Sequence, residues 1–107
     1  MNKFKVNGKE YNAKAFDFNL VCDLEDMGVS LAVMGTRPMS MARAYFGLCA
    51  NVDADMAGKE IEAHMISGGN LTDIIEAMTK EMDKSDFFRS LTKNAEEKNA
   101  ADPKEKK

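Results

Sequence analysis

The sequence has few of the residues that carry chemistry in small proteins. Its 107 residues include no tryptophan, two prolines, two cysteines (Cys22 and Cys49) and a single histidine, His64. The cysteines do not form the C-x₂-C pair that zinc sites normally show, so we expect no metal site and no cofactor. A lone histidine with no partner in a sequence pattern is typical of a structural position. We therefore expect no catalytic residue and no enzymatic activity.

Long apolar runs and an excess of positive charge are also missing. No run approaches the roughly 18 apolar residues of a membrane span, so no membrane partner is expected. The net charge of −3 argues against a nucleic-acid partner, which demands a basic face. Residues 61–78 faintly resemble a helix-turn-helix, but the second helix would carry net negative charge toward phosphates, so we reject this interpretation. Residues 35–38 precede a helix but lack the Gly-x₄-Gly-Lys pattern of a phosphate loop.

The clearest pattern that is present is a β-hairpin at the beginning of the chain. Asn7-Gly8 favours a two-residue type I′ turn, because both central residues of that turn need a positive φ. The turn fixes the register and places Lys5 opposite Glu10 as a predicted charge pair. The apolar side chains share the other face, which the following helices must cover. These side chains are Phe4, Val6 and Tyr11.

Apolar residues at helical spacing follow the hairpin, separated by capping residues and glycines. The inner faces predicted from this spacing include Phe18 in the first helix and Met65 and Ile66 in the third. Gly47 lies inside the second helix and indicates a close helix–helix contact. Four predicted helices cover about residues 17–27, 38–50, 54–67 and 71–82.

Two stretches of the helical region leave alternatives open. Residues 29–38 are apolar but interrupted by glycine and proline, which favours a loop with at most one helical turn, either buried or used for binding. Beyond the fourth helix, Ser85 or Asp83 caps a fifth helix, or else the fourth helix bends there. We expect a mainly α fold, a bundle of four to five short helices with an N-terminal two-stranded β-hairpin. This single domain covers residues 1–94, and residues 95–107 form a charged, disordered tail.

The apolar residues beside breaks and loops are the best candidates for function. Nine methionines are an unusually high number, and their flexible side chains suit either an irregular core or an adaptable contact surface. Adjacent phenylalanines follow the break after the fourth helix, and large apolar groups at such positions commonly dock a partner. The predicted protein-binding residues are Met27, Leu31, Met34, Phe87 and Phe88.

Four segments together resemble the tail assembly chaperones of long-tailed, siphovirus-type bacteriophages and prophages. The hairpin FKVNGKEY (residues 4–11) is similar to the strand pair with which many of these proteins begin. The segment FDFNLVCDLEDMG (16–28) resembles their first helix, and GKEIEAHMISGGNL (58–71) resembles their helix-Gly-Gly-helix step. The segment SDFFRSL (85–91) resembles their closing aromatic helix. The resemblance covers about residues 3–92.

The resemblance implies a protein of the bacterial host cytoplasm that is absent from the mature virion. Such chaperones bind the tape measure protein and keep it in solution while tail tube protein assembles around it, and a homo-oligomer is left open. Many are made in two lengths by ribosomal frameshifting, for which Lys106-Lys107 is either a trace or an ordinary lysine-rich end. The alternative function is a structural virion accessory protein of the tail or the head-tail connector. A small enzyme that uses His64 ranks last.

Overall fold

A computed structural model of the chain describes residues 2–33 and 35–91. The predicted fold class is confirmed, because the described chain is mainly helical and begins with an antiparallel two-stranded hairpin. Residues 86–91 form a closing helical segment after a break at Ser85, and Leu31–Val33 form a 3₁₀ turn. The predicted tail, residues 95–107, lies outside the described residues. The elements are β1 (Lys3–Val6), β2 (Lys9–Asn12), α1 (Phe18–Asp26), α2 (Pro38–Ala50), α3 (Ala54–Ile66) and α4 (Thr72–Lys84).

The hairpin has the predicted turn and register. Asn7 and Gly8 have φ values of 54° and 83°, and Lys5 faces Glu10 across the two strands. The predicted charge pair is nevertheless wrong, because Glu10 forms its ion pair with Lys3, the diagonal neighbour, at 3.8 Å. Strand twist and long side chains bring diagonal positions within reach, so the directly opposite residue is not always the partner.

Helix α2 lies at the centre of the domain and contacts α1, α3, α4 and β2. Its Phe46 is fully buried and meets the rings of Phe4 and Tyr11 at centroid distances of 6.3 and 5.0 Å, which fixes the hairpin on the helices. The close contact predicted at Gly47 is confirmed. A Cβ at that position would lie 3.4 Å from the Ala57 Cβ of α3, so the glycine lets the two helices approach.

Side-chain caps set the beginnings of three helical segments. Asp17 Oδ1 accepts a hydrogen bond from the Leu20 N–H, and Asp53 Oδ1 accepts one from the Met56 N–H, both at 2.8 Å. Ser85 Oγ accepts the Phe88 N–H at 2.9 Å and donates to the Phe16 carbonyl. Ser85 therefore starts a separate fifth helical segment, and this resolves the alternative of a bent α4.

Candidate protein-binding surfaces

An aromatic cluster joins the closing helical segment to the core. Phe16 is buried and stacks on the fully buried Tyr45 with a centroid distance of 5.4 Å and an interplanar angle of 14°. Phe88 meets Phe16 edge-to-face at 5.5 Å. Phe88, one of the predicted binding residues, thus packs inward and anchors residues 86–91. Its first role is structural, because removing the ring would leave a gap against Phe16.

Phe87 forms an aromatic pair with Phe18 at the surface, whereas Phe88 pairs with Phe16. The two ring centroids are 5.8 Å apart, with an interplanar angle of 82°, which is an edge-to-face contact. Phe18 is 63% exposed, and Phe87 is partly exposed. The pair adjoins a cleft of about 440 Å³ between the linker before α1, the end of α4 and the closing segment. Residues lining this cleft are Ala15, Phe16, Asp17, Glu81, Lys84, Ser85, Asp86 and Phe87.

The prediction that Phe18 faces the core is wrong. The buried side chains of α1 are Leu20, Val21 and Leu24. Phe18 directly follows the Asp17 cap and lies two residues before Leu20, about 200° around the helix, so it points away from the core. Its position in the first turn is the signal that sequence reasoning missed.

A second apolar surface lies between α2 and α3, and we call it the methionine groove. It has a volume of about 190 Å³ and includes Met39, 69% exposed, and Met65, 42% exposed. A Cβ at Gly58 would meet Arg43 Cδ at 3.4 Å, so the aliphatic part of the arginine crosses over the glycine. The lining residues are Met39, Ser40, Arg43, Gly58, Ile61, Met65 and Leu71.

The assignment of Met65 and Ile66 to the core is also wrong. The buried residues of α3 are Ala57 and Ile61, and Ile66 is 79% exposed. Ile66 lies five residues from Ile61, about 140° around the helix, so burying one turns the other toward water. Met65 is closer to the buried face and borders the groove.

Met27, another predicted binding residue, lies away from these two surfaces. Met27 is the C-cap of α1 and is half-buried, with its Cε 3.3 Å from where a Cβ of Gly47 would lie, so it packs on α2. Leu31 begins the 3₁₀ turn, and Met34 lies outside the described residues. Among the predicted binding residues whose side chains the structure describes, Phe87 and Phe88 lie next to each other but point in different directions.

His64 connects α3 to the hairpin. Its Nδ1 accepts a hydrogen bond from the Asn7 N–H at 2.9 Å, and Glu60 Oε1 accepts one from Asn7 Nδ2 at 3.1 Å. The imidazole also lies against Gly69, where even a Cβ would overlap it. These contacts give His64 a structural role, in which it holds the hairpin turn against the last turn of α3.

The cysteines and carboxylates of the described ranges assemble no metal site. No group of three or more histidine, cysteine, aspartate or glutamate side chains is arranged there to hold an ion. Cys22 and Cys49 are free thiols, each partly buried. Burial raises the pKa of the Cys49 thiol, so this side chain stays protonated near neutral pH.

Neither a protein-family model, nor a curated protein sequence, nor a solved structure matches this chain. Across the part of the chain that the structure describes, no helix is long and apolar enough to cross a membrane. The two apolar surfaces and the resemblance of the sequence segments are accordingly the features that indicate a function.

Proposed function

We propose that the protein is a tail assembly chaperone of a long-tailed phage or prophage. It binds apolar helical stretches of the tape measure protein in the host cytoplasm and keeps them in solution until tail tube protein assembles. It is absent from the mature virion. The observation that carries this proposal is the exposed aromatic pair, Phe18 and Phe87, beside a cleft in the segments that resemble the first and closing helices of such chaperones.

The aromatic pair suits a client that offers many similar apolar side chains. Phenylalanine rings provide large apolar contact areas and have few rotatable bonds, so ordering them on binding costs little entropy. Asp17 and Asp86 border the cleft, and polar residues of this kind commonly form the rim of a protein interface. Many weakly bound copies along one long client would act together through multivalency.

Co-expression with the long, helix-rich protein of the same tail gene cluster tests the proposal. Phe18→Ser and Phe87→Ser remove the aromatic pair from the outside of the domain and leave the buried rings in place. We expect the amount of client in the soluble fraction to fall at least tenfold, because the loss of one interface hot spot costs about 2 kcal/mol or more. Circular dichroism of each purified variant should match that of the unaltered chain.

Ile75→Ser is the matched control, because Ile75 is an apolar residue of α4, 37% exposed, that lines neither surface. It should leave client solubility unchanged. Full solubility of the client with both phenylalanine variants would refute the role of the aromatic pair. Mass spectrometry of purified particles distinguishes the chaperone from the alternative function. Stoichiometric amounts of this chain in virions would make it a structural accessory protein.

A further inference from the structure

The methionine groove has the size of a side-chain site. Its volume of about 190 Å³ is below the roughly 300–1,000 Å³ of pockets that enclose small molecules. Its walls are mainly two helices, α2 and α3, and its apolar lining includes the thioether side chains of Met39 and Met65, which adapt to different shapes. The groove therefore suits one large apolar side chain that projects from a bigger partner.

Charge at the edge of the groove adds a second requirement. Arg43 is exposed and forms no hydrogen bond or ion pair to any residue that the structure describes, so its guanidinium is available to a partner. None of the described residues that line the groove carries a carboxylate. Helix α2 begins beside Met39 with no side-chain cap and no acidic residue in its first turn. Arg43 is thus the one charged side chain among the described lining residues, and its guanidinium favours a negatively charged group on the partner.

We propose that the methionine groove docks an amphipathic helix of a partner protein. One large apolar side chain of that helix enters the groove, and a carboxylate about one turn away pairs with the guanidinium of Arg43. Helix-in-groove recognition has this form, with apolar anchors repeating at helical spacing. This inference rests on the proposed function for one point, that the partner is a helical polypeptide. It does not depend on Phe18 or Phe87.

Fluorescently labelled helical peptides of about 18 residues test the inference, since shorter peptides are marginally helical in water. Three peptides share one leucine stripe and carry glutamate, glutamine or lysine one turn from its centre. Fluorescence anisotropy with the full chain at low salt should give the tightest binding for the glutamate peptide. We expect binding about threefold to tenfold tighter than for the glutamine peptide, and the difference should shrink with added salt.

Variants of the groove identify the contact. Arg43→Glu should reverse the order, so that the lysine peptide binds best, and Met65→Asp should weaken all three peptides at least tenfold. Lys9→Gln is the control, because Lys9 is an exposed residue of the hairpin and should change nothing. Circular dichroism confirms that each variant is folded.

Three results would overturn the inference. The first is equal affinity for all three peptides, and the second is the same peptide order in Arg43→Glu as in the unaltered chain. The third is a dimer in sedimentation experiments that Met65→Asp dissociates, because a second copy of the chain would then cover the groove. The client-solubility assay with the phenylalanine variants tests the aromatic pair, and the peptide assay tests the methionine groove. If the phenylalanine variants lose client solubility but still bind the peptides, the two surfaces act separately, so failure of either proposal can be recognised alone.

Discussion

Replacing Tyr45 by phenylalanine tests how much one buried hydroxyl group contributes to the free energy of unfolding. The Tyr45 ring is fully buried and stacks on Phe16, and its hydroxyl donates to the Lys14 carbonyl at 2.6 Å. Tyr45→Phe keeps the ring contacts and deletes only the hydroxyl. The Lys14 carbonyl then loses a partner in a partly buried position, which costs about 1 kcal/mol of unfolding free energy near neutral pH. For a domain of this size that loss lowers Tm by about 4–8 °C.

The same substitution has a pH signature with a definite sign. Burial, with a smaller contribution from the nearby Cys49, raises the pKa of the Tyr45 phenol far above its ordinary value of 10.0. The stability gained from a buried neutral phenol is complete below the unfolded-state pKa and is lost as the pH rises above it. The loss is about 1.4 kcal/mol for each pH unit above 10. The Tyr45→Phe variant does not suffer this loss, so the two proteins should become equally stable near pH 11.

Urea denaturation followed by far-ultraviolet circular dichroism measures both effects, because the chain has no tryptophan for fluorescence. In a Tyr11→Phe background Tyr45 is the only tyrosine left, and its tyrosinate absorbance at alkaline pH should appear together with loss of helical signal. Tyr11→Phe is also the matched control, since the Tyr11 ring is partly exposed and its hydroxyl has no partner among the residues described. We expect its stability to change by less than about 0.5 kcal/mol.

Two results would refute this reasoning. A Tyr45→Phe variant as stable as the unaltered chain at pH 7 would mean that the hydroxyl bond to Lys14 contributes nothing. A gap in stability that stays constant from pH 7 to 11 would mean that the phenol is not buried in its neutral form.

Three further predictions concern the helix contacts and the hairpin. Gly47→Ala should destabilise the domain by about 1 kcal/mol, as measured by urea denaturation. The new Cβ would lie 3.1 Å from the Val52 carbonyl oxygen, and this crowding outweighs the better helix propensity of alanine. Cys49 should react with iodoacetamide at pH 8 about tenfold more slowly in the folded chain than in urea, by mass spectrometry, since burial raises its thiol pKa. His64→Ala should speed hydrogen exchange of the Asn7 amide, measured by NMR, because that amide loses its acceptor.

Local features of the fold could be predicted because local geometry decides them. The Asn7-Gly8 turn fixes the hairpin register, since a two-residue loop permits one alignment of the strands. Pro38 begins α2, because proline fits the first helical position, and Ser85 is the one of the two candidate caps whose side chain accepts a backbone N–H. These signals need no knowledge of distant residues, and the structure places helices where they indicate.

The faces of the helices could not be predicted in the same way. Periodicity tells which residues share a side of a helix, but tertiary contacts decide which of two apolar sides is covered. Ala57 packs where only a small residue fits beside Gly47, and this orientation leaves Ile66 in water. Phe87 and Phe88 are 100° apart on a helix, and periodicity does not tell which of the two rings packs on the core. The position of Phe16, which is set by the hairpin linker, decides that Phe88 is the ring that packs on the core.

The exposed apolar residues that we assign to binding lie next to other apolar side chains, whereas the one that we use as a control lines neither surface. Single apolar side chains on a surface are normal and need no function, which is how we treat Ile75. Phe18 instead touches Phe87, and Met39 and Met65 line one groove. Because Phe18, Met39 and Met65 lie outside the buried core, polar substitutions at these positions should alter binding far more than the free energy of unfolding. A variant such as Met65→Asp that unfolded the domain would show that the groove belongs to the core, and its assignment as a contact surface would then be wrong.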